Sequence, residues 1–383
     1  MALGVGSLDT LPCGHDNPLP LDAQAARAIF EGAPLPLCFG FPTKEGNMSP
    51  EAKRILDEAI VVDTLGGAVV HPTPHMPPGE TYEGNMVKWG WNVLHGCLVS
   101  EPSYTPTWEQ IQRAIYENLL NFEMSPGVRH IECVDDIYAA KKNGQLGVIF
   151  GVQSPSCIEL QRERIRLLYK WGLRSLQLTY MERNFVGDGC LEPENKGLTH
   201  FGMQVVRECN RLGILIDCSH VGIQTTLDAA RESKKPIVIS HTAVRAITEN
   251  PRCVTDEQMK AVADKGGAIG ITTFSPFIRT DRQPTLEDYL DHFDYAINLI
   301  GEDHVTFATD WFDGKTKANW ATPWFYPEVT QGKQYGGLGL VGFASRPELP
   351  NVVDGFLRRG YRPERIKKIL GDNFIRVLKE VWK

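Results

Sequence analysis

Residues Gly213 to Ala243, GILIDCSHVGIQTTLDAARESKKPIVISHTA, decide the fold of this chain. Two short apolar runs rich in β-branched residues, Ile214–Ile216 and Ile237–Ile239, each lead into a Ser-His pair. The stretch between them, TTLDAARESKK, has the composition of a surface helix. This pattern predicts a strand–helix–strand unit with parallel strands, because a connection of helix length joins strands that run in the same direction.

Two histidines, His220 and His241, stand where the two strands of this unit end. Parallel neighbours place both side chains at the carboxyl end of the sheet, where α/β folds bind their ligands. Two imidazoles that converge there are typical of a metal site. The alternative is a pair of core histidines, each hydrogen-bonded to a neighbouring strand.

The same alternation of strand and helix patterns extends over most of the chain. Short apolar runs predict eight strands, at Ile60–Val62, Val93–Val99, Val148–Val152, Leu176–Thr179, Leu215–Cys218, Ile237–Ser240, Ala268–Thr272 and Val305–Ala308. Helical spacing of apolar residues occurs at Pro50–Ala59, Trp108–Phe122, Glu163–Trp171, Thr199–Leu212, Asp256–Lys265 and Leu286–Leu299. Eight strands that alternate with helices predict a (β/α)8, or TIM, barrel over residues 51–383.

Two further segments flank this pattern. Residues 1–50 are rich in Pro and Gly, with one helical candidate at Ala23–Phe30, and are interpreted as an N-terminal arm that lies over the barrel or a second subunit. After the eighth strand, Trp311–Phe343 forms a long loop rich in aromatic residues and glycine, which should overhang the mouth of the barrel. Helical segments at Pro363–Leu370 and Asn373–Trp382 close the chain.

Composition narrows the class of protein. The 383 residues are 42% hydrophobic and 23% charged, with a net charge of −7 and a pI near 5.8, which argues against nucleic acid or an anionic membrane as partner. Nine cysteines without paired spacing favour buried thiols in a reducing compartment. The N-terminus lacks the cationic and apolar regions of a secretory signal, and no apolar run approaches the roughly 20 residues of a membrane span. These features predict a cytoplasmic protein.

Longer motifs carry a family resemblance. They are LYKWGLRSLQLT, GLTHFGMQVVRECNRLGILIDCSHVG, PIVISHTAVRA, NPRCVTDEQMKAVADKGGAIGI, HVTFATDWFDG and RGYRPERIKKILGDNFIRV. From about Ile60 to the C-terminus, the chain resembles the renal (membrane) dipeptidase family, the metallopeptidase branch of the amidohydrolase superfamily. Matches of this length and order imply a shared fold, whereas the chemistry depends on the individual site residues.

The resemblance implies two zinc ions at the carboxyl end of the barrel and assigns roles to some residues of this chain. His220 and His241 match the two later metal ligands. Asp310 matches the carboxylate that serves in proton transfer, with Asp313 as a competitor because the WFDG segment is one residue longer than the usual run. Arg252 matches the arginine that holds the substrate carboxylate.

Other family positions are altered. Leu65 and Gly67 stand where the family has the His-x-Asp ligand pair, and Gln153 replaces the bridging Glu, so three of five ligands are missing. Tyr180 replaces a substrate-binding His. A neutral amide is a far poorer zinc ligand than a carboxylate, which makes a standard dinuclear site untenable.

The metal ligands that are retained in this chain predict a site for at most one divalent metal ion. His220, His241 and Asp310 are the expected ligands, for zinc first and iron or manganese as alternatives. Possible substitute ligands away from the family positions are Asp63, His71, His75 and His95. The pair His71 and His75 flanks two prolines, which is also typical of an exposed loop. Arg252, Tyr180 and Gln153 are the candidates for binding substrate, although Arg252 alternatively holds a loop.

Three functions follow as hypotheses. The first is a dipeptidase-like hydrolase that cleaves an amide or C–N bond of a small carboxylate-bearing substrate, with Asp310 in proton transfer. The second is a non-hydrolytic enzyme with one metal, such as a lyase, a decarboxylase or an iron-dependent oxygenase. The third is a catalytically inactive barrel kept for binding. The resemblance also implies a homodimer or a higher homo-oligomer.

Overall fold

Nine parallel strands form the central sheet of the computed structural model, which describes residues 48–66, 79–98, 105–311, 329 and 339–382. Their bounds are β1 Val62–Asp63, β2 Val93–Cys97, β3 Val128–His130, β4 Leu146–Val152, β5 Leu173–Gln177, β6 Leu215–Asp217, β7 Val238–Thr242, β8 Ala268–Ile271 and β9 Val305–Phe307. Eight of them follow the order β1-β2-β4-β5-β6-β7-β8-β9, and β3 pairs with β4 outside this path.

The sheet closes on itself between its first and last strands. The backbone N–H of Thr64 donates to the carbonyl of Phe307 at 3.3 Å, and that of Asp310 donates to the carbonyl of Leu65 at 2.8 Å. The strands are buried on both faces, as the seven consecutive buried residues of β4 illustrate. The predicted (β/α)8 barrel is confirmed.

Helices alternate with these strands. Their bounds are α1 Pro50–Glu58, α2 Tyr82–Lys88, α3 Trp108–Met124, α4 Val134–Asn143, α5 Glu163–Lys170, α6 His200–Leu212, α7 Ile223–Glu232, α8 Asp256–Asp264, α9 Ser275–Ile278, α10 Leu286–Ile300, α11 Leu349–Arg358, α12 Pro363–Lys367 and α13 Asn373–Val381. The side chain of Ser49 caps α1, and Thr199, Thr255 and Thr285 cap α6, α8 and α10. Within the described ranges, no helix has both the length and the apolar character needed to cross a membrane.

Several elements differ from the sequence prediction. The strand β3 and the helices α2, α4, α9 and α11 are absent from the sequence prediction. The strand β3 has a weak pattern because it is only three residues long and exposes two polar side chains, Arg129 and His130, in part. β5 begins at Leu173, three residues before the predicted start, since Arg174 and Ser175 interrupt its apolar run although both are buried. The predicted helix Pro363–Leu370 gives way to a π-helical turn, Lys368–Asp372.

The amino end of the barrel is filled by apolar side chains. Phe374, Ile375 and Leu378 of α13 pack in one cluster with inward-facing residues of the strands, among them Val62 and Ile149. Just before α13, Gly371 lies so close to β1 that a Cβ there would be 2.0 Å from the carbonyl oxygen of Ile60. With this end sealed, the polar side chains of the barrel lie toward the carboxyl end.

Parts of the predicted architecture lie outside the described residues. These are the arm up to residue 47 with its helical candidate Ala23–Phe30, and most of the loop Trp311–Phe343. The division of the chain into an arm and a barrel therefore stays a prediction.

Candidate active site at the carboxyl end of the barrel

A pair of buried histidines forms the centre of the site. β6 and β7 are hydrogen-bonded neighbours, with Asp217 in register with Val238, and His220 and His241 lie at their carboxyl ends. The two Nε2 atoms are 2.8 Å apart, and the rings meet edge to face. The Ser-His repeat of the sequence thus corresponds to two imidazoles in direct contact.

The carboxylate of Asp217 is hydrogen-bonded to residues at the ends of both strands, β6 and β7. Oδ1 of Asp217 accepts hydrogen bonds from the backbone N–H of Ser219 at 2.9 Å, the hydroxyl of Ser219 at 2.8 Å and the backbone N–H of Ser240 at 3.0 Å. Its Oδ2 lies 2.5 Å from Oγ of Ser240, which in turn lies 2.8 Å from Nδ1 of His241. The site thus has a continuous chain of hydrogen bonds from Asp217 to His220.

Both imidazoles are held in their neutral form. Burial lowers the pKa of His220 well below its ordinary value, and the charges of Arg252 and of His241 lower it further. The pKa of His241 is likewise lowered well below its ordinary value by burial, with Arg252 and His95 adding to the effect. A neutral imidazole keeps a lone pair on one nitrogen, which is the requirement for a metal ligand or a proton acceptor.

Backbone strain is concentrated at the site. His220 has φ +63° and Asp310 has φ +58°, and among the described non-glycine residues Glu159 is the other one with positive φ. The left-handed region costs a non-glycine residue about 1 kcal/mol or more, so it persists where the surrounding structure imposes it. Two of the three strained positions therefore coincide with residues predicted from the sequence to act in the site.

The second charged group of the site is a buried guanidinium. Arg252 is 2% exposed, its Nη2 donates to the carbonyl of His241 at 2.6 Å, and its guanidinium lies 5.4 Å from the ring centroid of Phe277. Among the described residues no carboxylate forms an ion pair with it, and its Nε has no hydrogen-bond partner. A buried cation without a partner is costly, and an anionic ligand would offset that cost.

Asp310 lies at the seam between β9 and β1. Its side chain is half-buried, and no donor among the described residues reaches its carboxylate. Burial raises the pKa of Asp310 to about 7, with Arg252 lowering it and Asp63 raising it. A carboxylate with this pKa can both accept and return a proton near neutral pH.

Gln153 and Tyr180 lie against the histidine pair. The amide Nε2 of Gln153 is 3.1 Å from Nε2 of His241, and the ring of Tyr180 stacks on that of His220 with 4.1 Å between centroids. The buried Oε1 atoms of Gln153 and Gln177 and the hydroxyl of Thr179 have no hydrogen-bond partner among the described residues. These groups form a polar lining with unused hydrogen-bonding capacity.

Of the four predicted substitute ligands, Asp63 and His95 lie among the described residues, and both have partners other than the histidine pair. The carboxylate of Asp63 accepts from the backbone N–H and the hydroxyl of Thr309 at 2.8 and 2.6 Å, and pairs with Arg346 at 2.5 Å. Asp63 therefore joins the first and last strands in this structure, and its role as a substitute ligand stays a prediction. Nδ1 of His95 lies 2.7 Å from the carbonyl oxygen of Thr64. The centroid of the His95 ring is 6.0 Å from that of Phe374, which belongs to the apolar plug, the cluster of α13 and strand side chains at the amino end of the barrel. Gly67, His71, His75 and Asp313 lie outside the described residues.

The residues fit one metal ion better than two. Within the described ranges, no group of three His, Cys, Asp or Glu side chains is arranged to hold a metal, so the predicted set His220, His241 and Asp310 is not assembled there. The two Nε2 atoms do converge, and a metal ion bound there would find two imidazole ligands in the pair. Gln153 would offer it an amide and no bridging carboxylate.

A cavity of about 260 Å³ opens beside His220. Its lining includes Cys190, Cys218, Arg245, Arg252 and Gln258. Burial raises the pKa of the Cys190 thiol to about 11, so this sulfur is a neutral group. The cavity is of a size for a small molecule and carries a positive charge at its wall.

Sequence reasoning missed the polar residues that support the histidines. Asp217, Ser219 and Ser240 form the hydrogen-bonded layer under the imidazoles, and Arg346 neutralises Asp63. For the first three a signal existed, because a polar residue directly at the end of an apolar strand, and a serine before each histidine, are unusual. No local pattern links Arg346 to Asp63.

Comparisons with known proteins are consistent with this geometry. The model of the family "Membrane dipeptidase (Peptidase family M19)" matches residues 98–331. An uncharacterised protein from the pqqA 5′ region of Klebsiella pneumoniae is 27% identical over 257 residues, or 64% of this chain and 86% of that protein. Dipeptidase tcpJ of Claviceps purpurea is 30% identical over 252 residues, and dipeptidase verJ of Clonostachys rogersoniana is 29% identical over 251. Each match covers 64% of this chain, but only 54% and 58% of the two dipeptidases.

Solved structures share the fold. An amidohydrolase from Pseudomonas aeruginosa is 28% identical with a TM-score of 0.75, covering 86% of this chain and 99% of that chain. A metallopeptidase from Rhodobacter sphaeroides, solved with a phosphinate mimic of the dipeptide L-Ala-D-Ala, is 21% identical with a TM-score of 0.70, covering 85% of this chain and all of that one.

Proposed function

Because the chain belongs to the membrane dipeptidase family, peptidase family M19, we propose that it is a metal-dependent hydrolase that cleaves the amide or C–N bond of a small carboxylate-bearing substrate. The observation that carries the proposal is the meeting of two neutral imidazoles beside a buried guanidinium that no carboxylate of the described residues neutralises. The first group suits a metal and the second suits an anionic substrate.

The substrate carboxylate is assigned to Arg252. Its Nη2 is used by the carbonyl of His241, which fixes the guanidinium plane and leaves Nε unbound. A bound carboxylate would complete the hydrogen bonds of the guanidinium and neutralise its charge. Tyr180 and Gln153, which contact His220 and His241, are proposed to orient the group that reacts.

One metal at most is proposed, with His220 and His241 as its protein ligands. When bound, such a metal supplies Lewis-acid polarisation of the carbonyl or lowers the pKa of a water molecule. Zinc is the first candidate, with iron or manganese as alternatives. Asp310, whose pKa is about 7, is proposed to accept the proton of the attacking water and return it to the leaving nitrogen.

The test is elemental analysis of protein purified without chelator, combined with hydrolysis of a panel of dipeptides. We expect about one metal per chain in the wild type and loss of both metal and hydrolysis in a double variant, His220→Ala with His241→Ala. The matched control is His200→Ala, which removes an exposed histidine at the start of α6. Hydrolysis that survives both the double substitution and metal removal would refute the proposal.

A second candidate is a non-hydrolytic enzyme with one metal, such as a lyase, a decarboxylase or an iron-dependent oxygenase. It is favoured by Gln153, whose amide stands at the position of the bridging carboxylate and contacts His241 directly. Iron in the purified protein, with an absorption change on adding a carboxylic acid but no dipeptide cleavage, would support it. The third hypothesis, a catalytically inactive barrel kept for binding, predicts no turnover of any substrate with or without added metal.

The surroundings of the enzyme are also proposed. Six cysteines in the described ranges, Cys133, Cys157, Cys190, Cys209, Cys218 and Cys253, are free thiols, which supports a reducing, cytoplasmic location. Self-association as a homodimer or a higher oligomer is supported by the family resemblance alone, and sedimentation of the purified protein tests it.

A further inference from the structure

We infer that Arg245 is a specificity-determining residue that selects substrates with a second carboxylate, on the side chain of the residue whose own carboxylate Arg252 binds. The substrate class is then an N-acylated aspartate or glutamate, such as a dipeptide with an acidic carboxyl-terminal residue. The inference deepens the proposed function and rests on it. Its starting point is the cavity of about 260 Å³ beside His220, because both arginines line it.

The loop between β7 and α8 brings the two arginines to one cavity, although they are seven positions apart in the sequence. The backbone N–H of Arg245 donates to the carbonyl of Val254 at 2.9 Å, and that of Val254 donates to the carbonyl of Ala243 at 3.0 Å. This short parallel bridge folds the loop back on itself. Arg245 is thereby held beside the segment that carries Arg252.

The charges of the two arginines act on the same two thiols of the cavity wall. Burial raises the pKa of Cys190 to about 11 and that of Cys253 to about 12, and the charges of Arg252 and Arg245 each lower both values. Electrostatic effects weaken with distance, so both guanidinium groups lie near these sulfur atoms. Two positive charges therefore stand around one small cavity.

Arg245 has hydrogen-bond donors to offer a ligand. Its side chain is 23% exposed, and its Nε donates to Oε1 of Glu249 at 3.1 Å. The side chain of Glu249 is 83% exposed, so solvent screens this ion pair and makes it weak. Among the described residues, no acceptor is hydrogen-bonded to Nη1 or Nη2 of Arg245. A planar guanidinium edge of this kind suits a carboxylate, which it can bind through two nitrogen atoms.

Other polar groups of the cavity wall are already used within the protein. Oε1 of Glu192 accepts the backbone N–H of Arg183 at 2.7 Å, and its Oε2 lies 3.8 Å from Nη2 of the same arginine. The amide of Gln258 donates to the hydroxyl of Thr226 at 3.0 Å. Glu192 is thus turned toward a cation outside the pair, and the donors left for a ligand come from the two arginines. A ligand with two carboxylates matches them.

The test on the enzyme compares kcat/KM for the dipeptides Ala-Glu and Ala-Gln, which differ by one charge at nearly constant shape. We expect the wild type to prefer Ala-Glu by about 10-fold or more, the usual effect of a hydrogen bond between charged groups. Arg245→Met should abolish this ratio, and Arg245→Lys should keep part of it, because it retains the charge without the planar fork. The matched control is Arg231→Met, which removes a 72% exposed arginine of α7 and should leave the ratio unchanged.

A binding test needs no chemistry and separates this inference from the proposed function. The full-length, metal-free protein is titrated calorimetrically with glutarate, which has the carbon skeleton and both carboxylates of glutamate, and with glutaramate, in which an amide replaces one carboxylate. We expect glutarate to bind about 10-fold more tightly, and this difference to disappear in Arg245→Met.

The outcomes differ for the two proposals. A glutarate preference that depends on Arg245, in a protein that cleaves no dipeptide, would uphold the second carboxylate site and count against hydrolysis. Cleavage of Ala-Glu and Ala-Gln with equal kcat/KM would uphold the proposed function and overturn the inference. Equal binding of glutarate and glutaramate by the wild type, or a preference that survives in Arg245→Met, would also overturn it.

Discussion

Two buried arginines lie at the carboxyl end of this barrel, and they differ in what faces them. Arg346 pairs with the carboxylate of Asp63, donates to the carbonyl of Gly66 at 3.0 Å, and lies over the rings of Trp91 and Trp311. Arg252 has a backbone carbonyl and an aromatic ring but no carboxylate among the described residues. The first cation is neutralised by the protein, which makes its side of the barrel a structural joint. The second has no such partner among the described residues, and we propose that the carboxylate of a ligand takes this place.

Asp310 stands between the two regions, and its substitution should have the largest effect. Asp310→Asn cannot accept a proton, so we expect kcat to fall by about 10²–10⁴-fold, the usual contribution of positioned acid–base groups. Since the ionised form is the active one, wild-type activity should rise with pH through about 7, the pKa that burial gives this group. The pH–rate profile of both proteins measures this. Full activity in Asp310→Asn would remove Asp310 from the chemistry; Asp264→Asn, an exposed carboxylate on α8, is the control.

Among these substitutions, one in the structural joint between Asp63 and Arg346 should lower the free energy of unfolding most. Arg346→Met leaves the carboxylate of Asp63 buried without its cation, and removal of one partner of a buried pair costs about 3–5 kcal/mol. Urea denaturation followed by tryptophan fluorescence measures this loss. Arg358→Met is the matched control, since Arg358 forms an exposed pair with Glu287 whose side chains are 59% and 55% exposed. Similar losses in the two variants would show that the joint is no more than a surface contact.

Arg252→Met should produce the opposite pattern. Because no carboxylate of the described residues depends on this cation, unfolding free energy should stay within about 1 kcal/mol of the wild type, the value of one ordinary hydrogen bond. The value of kcat/KM should fall roughly 10–150-fold, as expected for a hydrogen bond between charged groups worth about 1.5–3 kcal/mol. The loss should vanish for substrates whose carboxylate is blocked as an amide. An equal loss with blocked substrates would contradict the assignment.

The last effect is the pH dependence of stability that Asp310 imposes on metal-free protein, which partial exposure of this side chain to solvent reduces. Its pKa is about 7 in the folded state and 3.8 ordinarily, so the fold holds this proton more tightly than the unfolded chain does. The stability it contributes is present below pH 4 and is lost as the pH rises through 7. The wild type should therefore lose stability relative to Asp310→Asn between pH 4 and pH 8. Parallel curves in chelator would show that the carboxylate is not perturbed.

The sequence revealed the barrel because each strand is a local apolar run buried on both faces, and each long connection has helical spacing. β3 escaped because Val128 is its one apolar residue, and its burial depends on β4. In the site, His220, His241 and Arg252 were marked by their positions at strand ends and by the family motifs. The pairing of Asp63 with Arg346 joins residues 283 positions apart, so no local pattern could reveal that this carboxylate was already occupied.

The apolar plug formed by α13 has a consequence for biosynthesis. The side chains that fill the amino end of the barrel come from the strands and from Phe374 to Val381, which are made after all nine strands. While the ribosome still covers α13, the inward faces of Val62 and Ile149 have no cover, and β1 lacks the close contact with Gly371. Contacts so distant in sequence form slowly and leave apolar surface exposed during folding. Completion of the barrel should therefore await the emergence of α13 from the ribosome, and a chain stalled shortly before residue 373 should be a preferred client of chaperones.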